Sequence, residues 1–217
     1  MARMDLATLP TPAALLDATR LAHNIAAMQA RARALGVRLR PHVKTTKSWP
    51  VVQRQLAAGA AGITVSTLKE AEQFAAQGVR DILYAVGIVP AKLAAVRALR
   101  QGGCRLTVVL DSVEAAEALV AHGREHGHRF DVMIEIDTDG QRAGLAPDSP
   151  ALPAVARVLA EGGVNLLGVM THCGASYACR GEAELAAMAE QERARCVAAA
   201  QVLRAAGHAC PEGSVGS

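Results

Sequence analysis

The sequence is poor in aromatic residues and carries almost no excess charge. Only 2% of its 217 residues are Phe, Trp or Tyr, and 23 Lys and Arg nearly balance 20 Asp and Glu, which leaves a formal charge of +3. Proteins that stack nucleic-acid bases need more aromatic side chains, and anionic polymers or membranes attract a more basic surface. We therefore expect no nucleic-acid partner.

Long apolar runs and paired cysteine motifs are also missing. No apolar run reaches the roughly 18 residues of a membrane span, and residues 1–5 contain no apolar segment typical of a secretory signal. The five cysteines form no C-x-x-C pair, and such a set is typical of reduced thiols. We expect a cytoplasmic protein with no membrane partner, and the 51% hydrophobic content allows a large core.

The sequence alternates between short β-rich runs and longer Ala-, Leu- and Arg-rich stretches with helical spacing. Continuous apolar runs such as Leu106–Leu110 and Val132–Ile136 are typical of strands that are buried on both faces. A Gly-containing break returns the chain from each predicted helix, such as Ala151–Glu161, to the next strand. Thr67 followed by Glu70, and Ser112, predict the N-terminal caps of two of these helices. The predicted strands are Ala14–Asp17, Leu39–Lys44, Gly62–Ser66, Ile82–Val86, Leu106–Asp111, Val132–Asp137 and Leu166–Thr171.

Strand–helix units of this length predict the α/β class with a parallel sheet. An open doubly wound sheet would usually carry a Gly-rich phosphate-binding turn after its first strand, and none follows Ala14–Asp17. Seven similar units and an eighth strand beginning near Ser214 favour a (β/α)8 TIM-type barrel. Such barrels typically take about 250 residues, so we expect this one to lack its last unit or units.

Lys44 is the sharpest candidate for chemistry, because the active sites of parallel barrels lie at the C-terminal ends of the strands. It ends the predicted second strand, and Arg40 and Lys47 are close to it in sequence. Cationic neighbours and burial favour a free amine, which can form a Schiff base with an aldehyde cofactor or a carbonyl substrate. From position alone, a solvated lysine at a strand end remains the alternative.

Several motifs together resemble a known enzyme family. The segment 41–47 reads Pro-His-Val-Lys-Thr-Thr-Lys and resembles the P-H-x-K-T-x-K segment of fold-type III pyridoxal-phosphate enzymes, although many relatives carry His where Thr46 stands. The stretches 62–72, 81–85, 135–144 and 171–177 are similar as well. The family is that of D-threonine aldolases and D-serine dehydratases, which is related to the N-terminal barrel of alanine racemase.

The resemblance implies one domain over residues 1–217, a pyridoxal 5'-phosphate-binding barrel of the alanine racemase N-terminal type. It also implies that the barrel is incomplete at its C-terminus and that the family's C-terminal β domain is absent. In the full-length relatives that domain supplies substrate contacts, commonly across a homodimer, and a divalent-metal site (Mn, Mg or Zn). No metal ligands are predicted in this chain.

The resemblance also assigns site residues. Lys44 would carry the cofactor as an internal aldimine, and Arg142 would point toward the ring nitrogen of the cofactor. Tyr177 would lie near the pyridine ring, with His172 in the same loop. The terminal stretch resembles the start of the S-x-G-S-T-P phosphate-binding strand, and the cofactor-binding residues expected there are Ser214, Gly216 and Ser217. The residues alone leave open that Arg142 pairs with Asp137 or Asp139, and that Tyr177 is a half-buried rim residue.

The function implied by the resemblance is that of a pyridoxal-phosphate-dependent lyase for small D-β-hydroxy amino acids, either a D-threonine aldolase or a D-serine dehydratase-like enzyme. The alternatives are an amino-acid racemase, a non-catalytic pyridoxal-phosphate-binding protein, and an aldolase that uses Lys44 on a carbonyl substrate without any cofactor. Each of these functions takes a small molecule as its partner.

Overall fold

The computed structural model describes residues 6–216, and in these residues six parallel strands form one sheet. The strands lie side by side in chain order, so each of the four inner strands pairs with the strand before it and the strand after it, and the first and last strands are the edges. They are β1 (Ile63–Val65), β2 (Asp81–Gly87), β3 (Arg105–Leu110), β4 (Asp131–Ile136), β5 (Asn165–Thr171) and β6 (Glu212–Ser214). The α/β class with a parallel sheet, predicted from the alternating pattern, is confirmed.

Helices connect and cover the strands. They are α1 (Ala18–Ala34), α2 (Trp49–Ala57), α3 (Leu68–Ala76), α4 (Leu93–Gln101), α5 (Val113–Glu125), α6 (Ala151–Glu161) and α7 (Glu182–Ala205), with short 3₁₀ turns at Leu6–Thr8, Pro90–Lys92 and Gly174–Ala178. Polar side chains begin several of them: Thr67 Oγ1 accepts a hydrogen bond from the Glu70 N–H at 3.1 Å, and Ser112 Oγ accepts one from the Ala115 N–H at 3.1 Å. Both caps match the sequence prediction. No helix within residues 6–216 is long and apolar enough to cross a membrane.

The first two predicted strands are not strands. Ala14–Asp17 is irregular and exposed, and Asp17 caps α1 by accepting hydrogen bonds from the N–H groups of Thr19 and Arg20 at 2.9 Å. Leu39–Lys44 runs beside β1 but contributes only an isolated parallel bridge between His42 and Thr64. The reason is local, because Pro41 has no N–H to donate to the ladder and the chain turns directly after the bridge.

The incomplete barrel that we expected is confirmed only in part. Residues 6–216 form a curled half-barrel of six parallel strands, and the two predicted strands that are missing from it are the first two. The ion pair between Arg38 Nη2 and Glu212 Oε1, at 2.8 Å, joins the segment before β1 to β6 at the other edge of the sheet. Residues from both edges also line one cavity. The curvature thus brings together side chains that lie about 170 positions apart in the chain, such as His42 and Ser214.

The strands are buried on both faces. The helix-facing side belongs to a large apolar core that includes Ile82, Leu106 and Ile134, all fully buried. The other side holds a smaller apolar layer, made of Leu83, Val109, Met133 and Met170. The continuous apolar runs in the sequence predicted this double burial. The smaller layer forms the floor on which the polar residues at the strand ends lie.

Candidate active site

A cavity of about 620 Å³ opens at the C-terminal ends of the strands. Its walls come from the segment before β1, from β1, β2, β4 and β5, from the loops after β4 and β5, and from residues 214–216. Small-molecule sites commonly occupy roughly 300–1,000 Å³, and parallel barrels carry their chemistry at this end. Five of the seven residues predicted from the sequence line this cavity: Lys44, Arg142, His172, Ser214 and Gly216.

Lys44 lies at the start of a tight turn and lines the cavity. Its backbone N–H donates to His42 Nδ1 at 3.3 Å, and the turn closes with a hydrogen bond from the Lys47 N–H to the Val43 carbonyl at 2.9 Å. Burial lowers the pKa of His42, and the positive charge of Lys44 lowers it further. The same charge contributes to a lowered pKa of His172, so it acts on both histidines of the cavity.

His42 and Ser66 are cavity residues that the sequence analysis did not single out as binding residues. His42 Nε2 lies 3.2 Å from Ser66 Oγ. Because Nδ1 accepts from the Lys44 N–H, the neutral ring carries its proton on Nε2 and donates to the serine hydroxyl. The spacing of two between His42 and Lys44 was the available signal, since alternate residues of an extended segment lie on the same side.

His172 and Tyr177 form a pair in the loop after β5. The Tyr177 hydroxyl lies 3.0 Å from His172 Nε2, and the two ring centroids are 5.7 Å apart. Burial is the main cause of the lowered pKa of His172, and the charges of Arg142 and Lys44 add to it. His172 lines the cavity, whereas Tyr177 is 63% exposed and lies outside its lining. The structure therefore connects Tyr177 to the cavity through His172.

Arg142 comes from the loop after β4 and lies against Gly174 of the loop after β5. A Cβ atom at position 174 would lie 2.8 Å from Arg142 Cδ, so a larger residue there would displace the arginine side chain from this position. Within residues 6–216 the Arg142 guanidinium forms no ion pair with Asp137 or Asp139, which was the alternative that the sequence left open. Its charge instead faces Glu135 and His172.

Asp139 joins the two loops. Its Oδ2 accepts hydrogen bonds from the Ala175 N–H at 2.6 Å and from Cys173 Sγ at 3.2 Å, and its Oδ1 accepts from the Gln141 N–H at 3.0 Å. Burial alone would raise the pKa of Asp139, but these hydrogen bonds outweigh it and lower that pKa to about 2. Burial and the bond to Asp139 raise the pKa of the Cys173 thiol to about 11, so Cys173 is not a thiolate at neutral pH.

Glu135 is a buried carboxyl group in the cavity wall that the sequence analysis quoted only as part of a motif. Its Oε2 is buried and has no hydrogen-bond partner within residues 6–216. Burial raises the pKa of Glu135 to about 7, the charges of Asp111 and Asp137 raise it too, and Arg142 opposes them. A buried polar atom without a partner is costly, so this oxygen is available to a donor from a bound molecule.

The last described residues also reach the cavity. Ser214 ends β6 beside Met170, and Gly216 has a φ of +124°, a backbone conformation that favours glycine. Ser217, the remaining predicted cofactor-binding residue, lies outside the described residues. Residues 6–216 contain no group of three or more His, Cys, Asp or Glu side chains that could hold a metal ion.

A family model and individual relatives point to the same group of proteins. The family model described as the N-terminal domain of alanine racemase matches residues 16–217. D-threo-3-hydroxyaspartate dehydratase from Delftia sp. (strain HT23) is 58% identical over 213 residues, which cover 98% of this chain and 56% of that protein. D-threonine aldolase from Arthrobacter sp. is 33% identical over 206 residues, which cover 94% of this chain and 54% of that protein.

The fold agrees with that of a solved relative. The structure of the D-threo-3-hydroxyaspartate dehydratase from Delftia sp. HT23 superposes with a TM-score of 0.92 at 57% identity, over 94% of this chain and 54% of that chain. The chain thus spans about half the length of the curated relatives it matches.

Proposed function

Because the chain belongs to the family of alanine racemase N-terminal domains, as its motifs predicted, we propose that it is the cofactor-binding domain of a pyridoxal-phosphate-dependent lyase. We propose a small D-amino acid with a hydroxyl group on Cβ as the substrate, D-threo-3-hydroxyaspartate as the first candidate, and dehydration as the reaction. The observation that carries the proposal is the place of Lys44 in the cavity, within a chain 58% identical to a dehydratase of that substrate. The proposed domain covers residues 1–217.

The residues present fit pyridoxal phosphate. The cavity offers a lysine amine for the aldehyde carbon of the cofactor, and the charges of Lys44 and Arg142 for an anionic ligand. The buried Oε2 of Glu135 has no hydrogen-bond partner within residues 6–216 and can accept a hydrogen bond from a bound ring or amine. Residues 214–216 line the same space, where the family resemblance predicts the phosphate.

Each side chain then has a proposed part. When bound, pyridoxal phosphate supplies an aldehyde and an electron-withdrawing ring that makes the Cα proton of an amino acid removable. Lys44 would hold the cofactor through its amine, and the same amine, when free, would accept the proton from Cα. Arg142 would face the ring nitrogen and, because it keeps its own proton, would disfavour protonation of that nitrogen. His172 and Tyr177 would orient the ring from the rim.

A divalent metal does not fit the described residues, because they lack a suitable cluster of ligands. The divalent metal and the homodimer that the resemblance implies remain predictions for full-length relatives. A cytoplasmic location remains a prediction for this protein.

Covalent labelling tests the cofactor proposal. The protein is incubated with pyridoxal phosphate, reduced with borohydride, digested and analysed by mass spectrometry. We expect a yellow protein and a reduced phosphopyridoxyl group on Lys44, and no such group at that position in Lys44→Ala. Lys69→Ala is the matched control, because Lys69 is exposed and pairs with Glu72 away from the cavity. An adduct confined to another lysine would overturn the assignment of Lys44.

Substrate assays separate the lyase from the alternatives. A second sample, loaded with pyridoxal phosphate but not reduced, is given D-threo-3-hydroxyaspartate, D-serine, D-threonine or D-alanine, with and without Mn²⁺, Mg²⁺ or Zn²⁺. Release of ammonia and a keto acid from the first two supports dehydration, whereas release of glycine from D-threonine supports aldol cleavage. Racemised D-alanine would favour the racemase, and labelling without any turnover would favour the non-catalytic binding protein. Turnover of a carbonyl substrate without cofactor would favour the Lys44-only aldolase.

A further inference from the structure

Glu70, a buried acidic residue of α3, contacts Lys47 at the end of the turn that carries Lys44 (residues 43–47, the Lys44 turn) and Ser66, which follows β1. It is 8% exposed, it does not line the cavity, and the sequence analysis used it only as a helix-capping residue. Its two carboxylate oxygens have different partners. Oε2 accepts a hydrogen bond from the Ser66 N–H at 2.8 Å, and Oε1 lies 3.1 Å from the Lys47 ammonium.

The first path leads from Glu70 to the beginning of the turn. The carboxylate fixes the backbone of Ser66, whose hydroxyl lies 3.2 Å from His42 Nε2. The other ring nitrogen of His42 accepts a hydrogen bond from the Lys44 N–H at 3.3 Å. Three consecutive contacts therefore connect the buried carboxylate to the backbone of Lys44, and each one restricts the orientation of the next group.

The second path leads to the end of the turn. Lys47 has a φ of +45°, a left-handed conformation that is uncommon for a residue with a side chain. Its N–H closes the turn on the Val43 carbonyl at 2.9 Å, and its ammonium pairs with Glu70. The residues between, 44–46, are exposed, and within residues 6–216 their side chains form no hydrogen bond or ion pair. The turn is thus held at its two ends.

The charge of Glu70 suits this role. Burial raises the pKa of Glu70, but the hydrogen bonds from the backbone of Ser66 and Thr67 and the positive charge of Lys47 outweigh it and bring that pKa below its ordinary value, so the group is an anion at neutral pH. That negative charge also acts on His42, where it opposes the burial that lowers the pKa of the imidazole.

We propose that Glu70 is a positioning residue for Lys44, which it holds through Ser66 and His42 on one side and through Lys47 on the other. The inference rests on the proposed role of Lys44 as the residue that binds the cofactor. Removal of either path leaves Lys44 in the protein but widens the range of positions of its amine. Errors of about 1 Å in the placement of a reacting group can reduce rates by up to about 100-fold.

Two variants and a matched control test the proposal. Glu70→Gln keeps an oxygen that can accept from Ser66 but removes the negative charge, and Lys47→Met removes only the second path. Glu72→Gln is the matched control, because Glu72 is an exposed acidic residue on the same helix whose ion pair with Lys69, at 3.3 Å, is remote from the cavity. Urea unfolding gives the folded fraction of each variant, to which all rates are normalised.

Two readouts are compared. The first is the rate at which pyridoxal phosphate and borohydride modify Lys44, followed by peptide mass spectrometry. We expect Glu70→Gln and Lys47→Met to be slower by about tenfold and Glu72→Gln to match the unsubstituted protein. The second is the pKa of His42 from an NMR titration, which Glu70→Gln should lower and Glu72→Gln should leave unchanged. A Glu70→Gln rate within roughly twofold of the unsubstituted protein would overturn the inference, as would an unchanged His42 pKa.

A third measurement keeps this inference distinct from the proposed function. Reductive methylation of Lys44 with formaldehyde reports the environment of its amine without pyridoxal phosphate. If pyridoxal phosphate never labels Lys44 in the unsubstituted protein, the proposed function fails. A methylation rate at Lys44 and a His42 pKa that still change in Glu70→Gln would then support the positioning role on their own, and unchanged values would end it.

Discussion

The helix-facing side of the sheet and its cavity-facing side bury different kinds of side chain. On the helix-facing side the strand residues are apolar, as at Leu106, Val132 and Ile134, and they are fully buried. On the other side, the apolar layer around Met133 gives way to polar groups toward the C-terminal ends of the strands. Within residues 6–216, the buried polar residues of the strands, Thr64, Glu135 and Thr171, all line the cavity.

The difference indicates where stability and chemistry reside. Burial of apolar surface is the main favourable contribution to folding, and a buried polar group without a partner opposes it. The helix-facing side therefore stabilises the fold, while the cavity-facing side keeps polar groups available for a ligand at some cost in stability. Ile134 and Glu135 are neighbours on β4 and lie on opposite faces, so substitutions at these two positions test the comparison directly.

The largest expected effect is that of Ile134→Ala on the helix-facing side. The side chain is fully buried in the large core, so its truncation leaves a cavity and should lower the free energy of unfolding by about 2–5 kcal/mol. Urea unfolding monitored by circular dichroism measures this loss. Labelling of Lys44 per folded molecule should be unchanged. A loss below about 1 kcal/mol would mean that the helix-facing side does not dominate stability in this region.

Glu135→Gln, at the next residue of β4, should increase the free energy of unfolding above neutral pH, whereas Ile134→Ala decreases it. A carboxyl whose pKa is raised to about 7 in the folded protein binds its proton more tightly there than in the unfolded chain, so wild-type stability falls as pH rises from about 4.5 through 7. Glutamine has no proton to lose. We expect the variant to match the wild type near pH 4.5 and to be more stable by about 2–3 kcal/mol at pH 8.

Urea titrations at a series of pH values measure this difference. The unsubstituted protein supplies the reference slope, and Glu72→Gln serves as a control at an exposed site. If the difference in unfolding free energy between Glu135→Gln and the unsubstituted protein is constant from pH 5 to pH 8, Glu135 does not change its protonation state in that range. The buried carboxyl group then does not reduce stability in the way we describe.

Local sequence signals predicted the central elements of the fold closely. The helix predicted at Ala151–Glu161 has those bounds in the structure, and the strand predicted at Leu166–Thr171 begins one residue earlier. These segments have a strong apolar pattern and neighbours on both sides. Ala14–Asp17 has a similar apolar composition but no strand beside it within residues 6–216, and a strand exists only through hydrogen bonds to a partner. The composition of Ala14–Asp17 does not show whether another strand lies beside it.

The candidate site was predictable where residues end strands or form motifs. Lys44, Arg142 and His172 were found in this way, and the structure brings them to one cavity. Glu135 lies within an apolar run, where only the curvature of the sheet decides that its face is the cavity wall. The contacts of Glu70 with Ser66 and Lys47 depend on how α3 packs beside the Lys44 turn, which no local pattern encodes.

Asp139→Asn tests the loops that carry the cavity residues, with a smaller expected effect. The carboxylate accepts hydrogen bonds from both loops, which lower its pKa to about 2, so its stabilising contribution is present above about pH 4 and is lost as pH falls through 2. Because the residue is partly exposed, we expect the variant to lose about 1–2 kcal/mol at pH 7. The difference in urea unfolding should narrow between pH 4 and pH 2. A pH-independent difference would indicate steric disruption instead.

The smallest expected effect on stability is that of Tyr177→Phe at the rim. The phenol is 63% exposed, and its hydroxyl contacts His172 Nε2 at 3.0 Å, so the substitution removes one solvent-accessible hydrogen bond and should change the free energy of unfolding by less than about 1 kcal/mol. If the cavity-facing side is built for a ligand, the same change should weaken the binding of pyridoxal phosphate, measured by absorbance titration. Phe130→Leu, a substitution in the helix-facing core, should do the reverse, lowering stability while leaving cofactor affinity intact. If Tyr177→Phe and Phe130→Leu change stability and cofactor affinity in the same proportion, the two faces of the sheet do not differ in the way we describe.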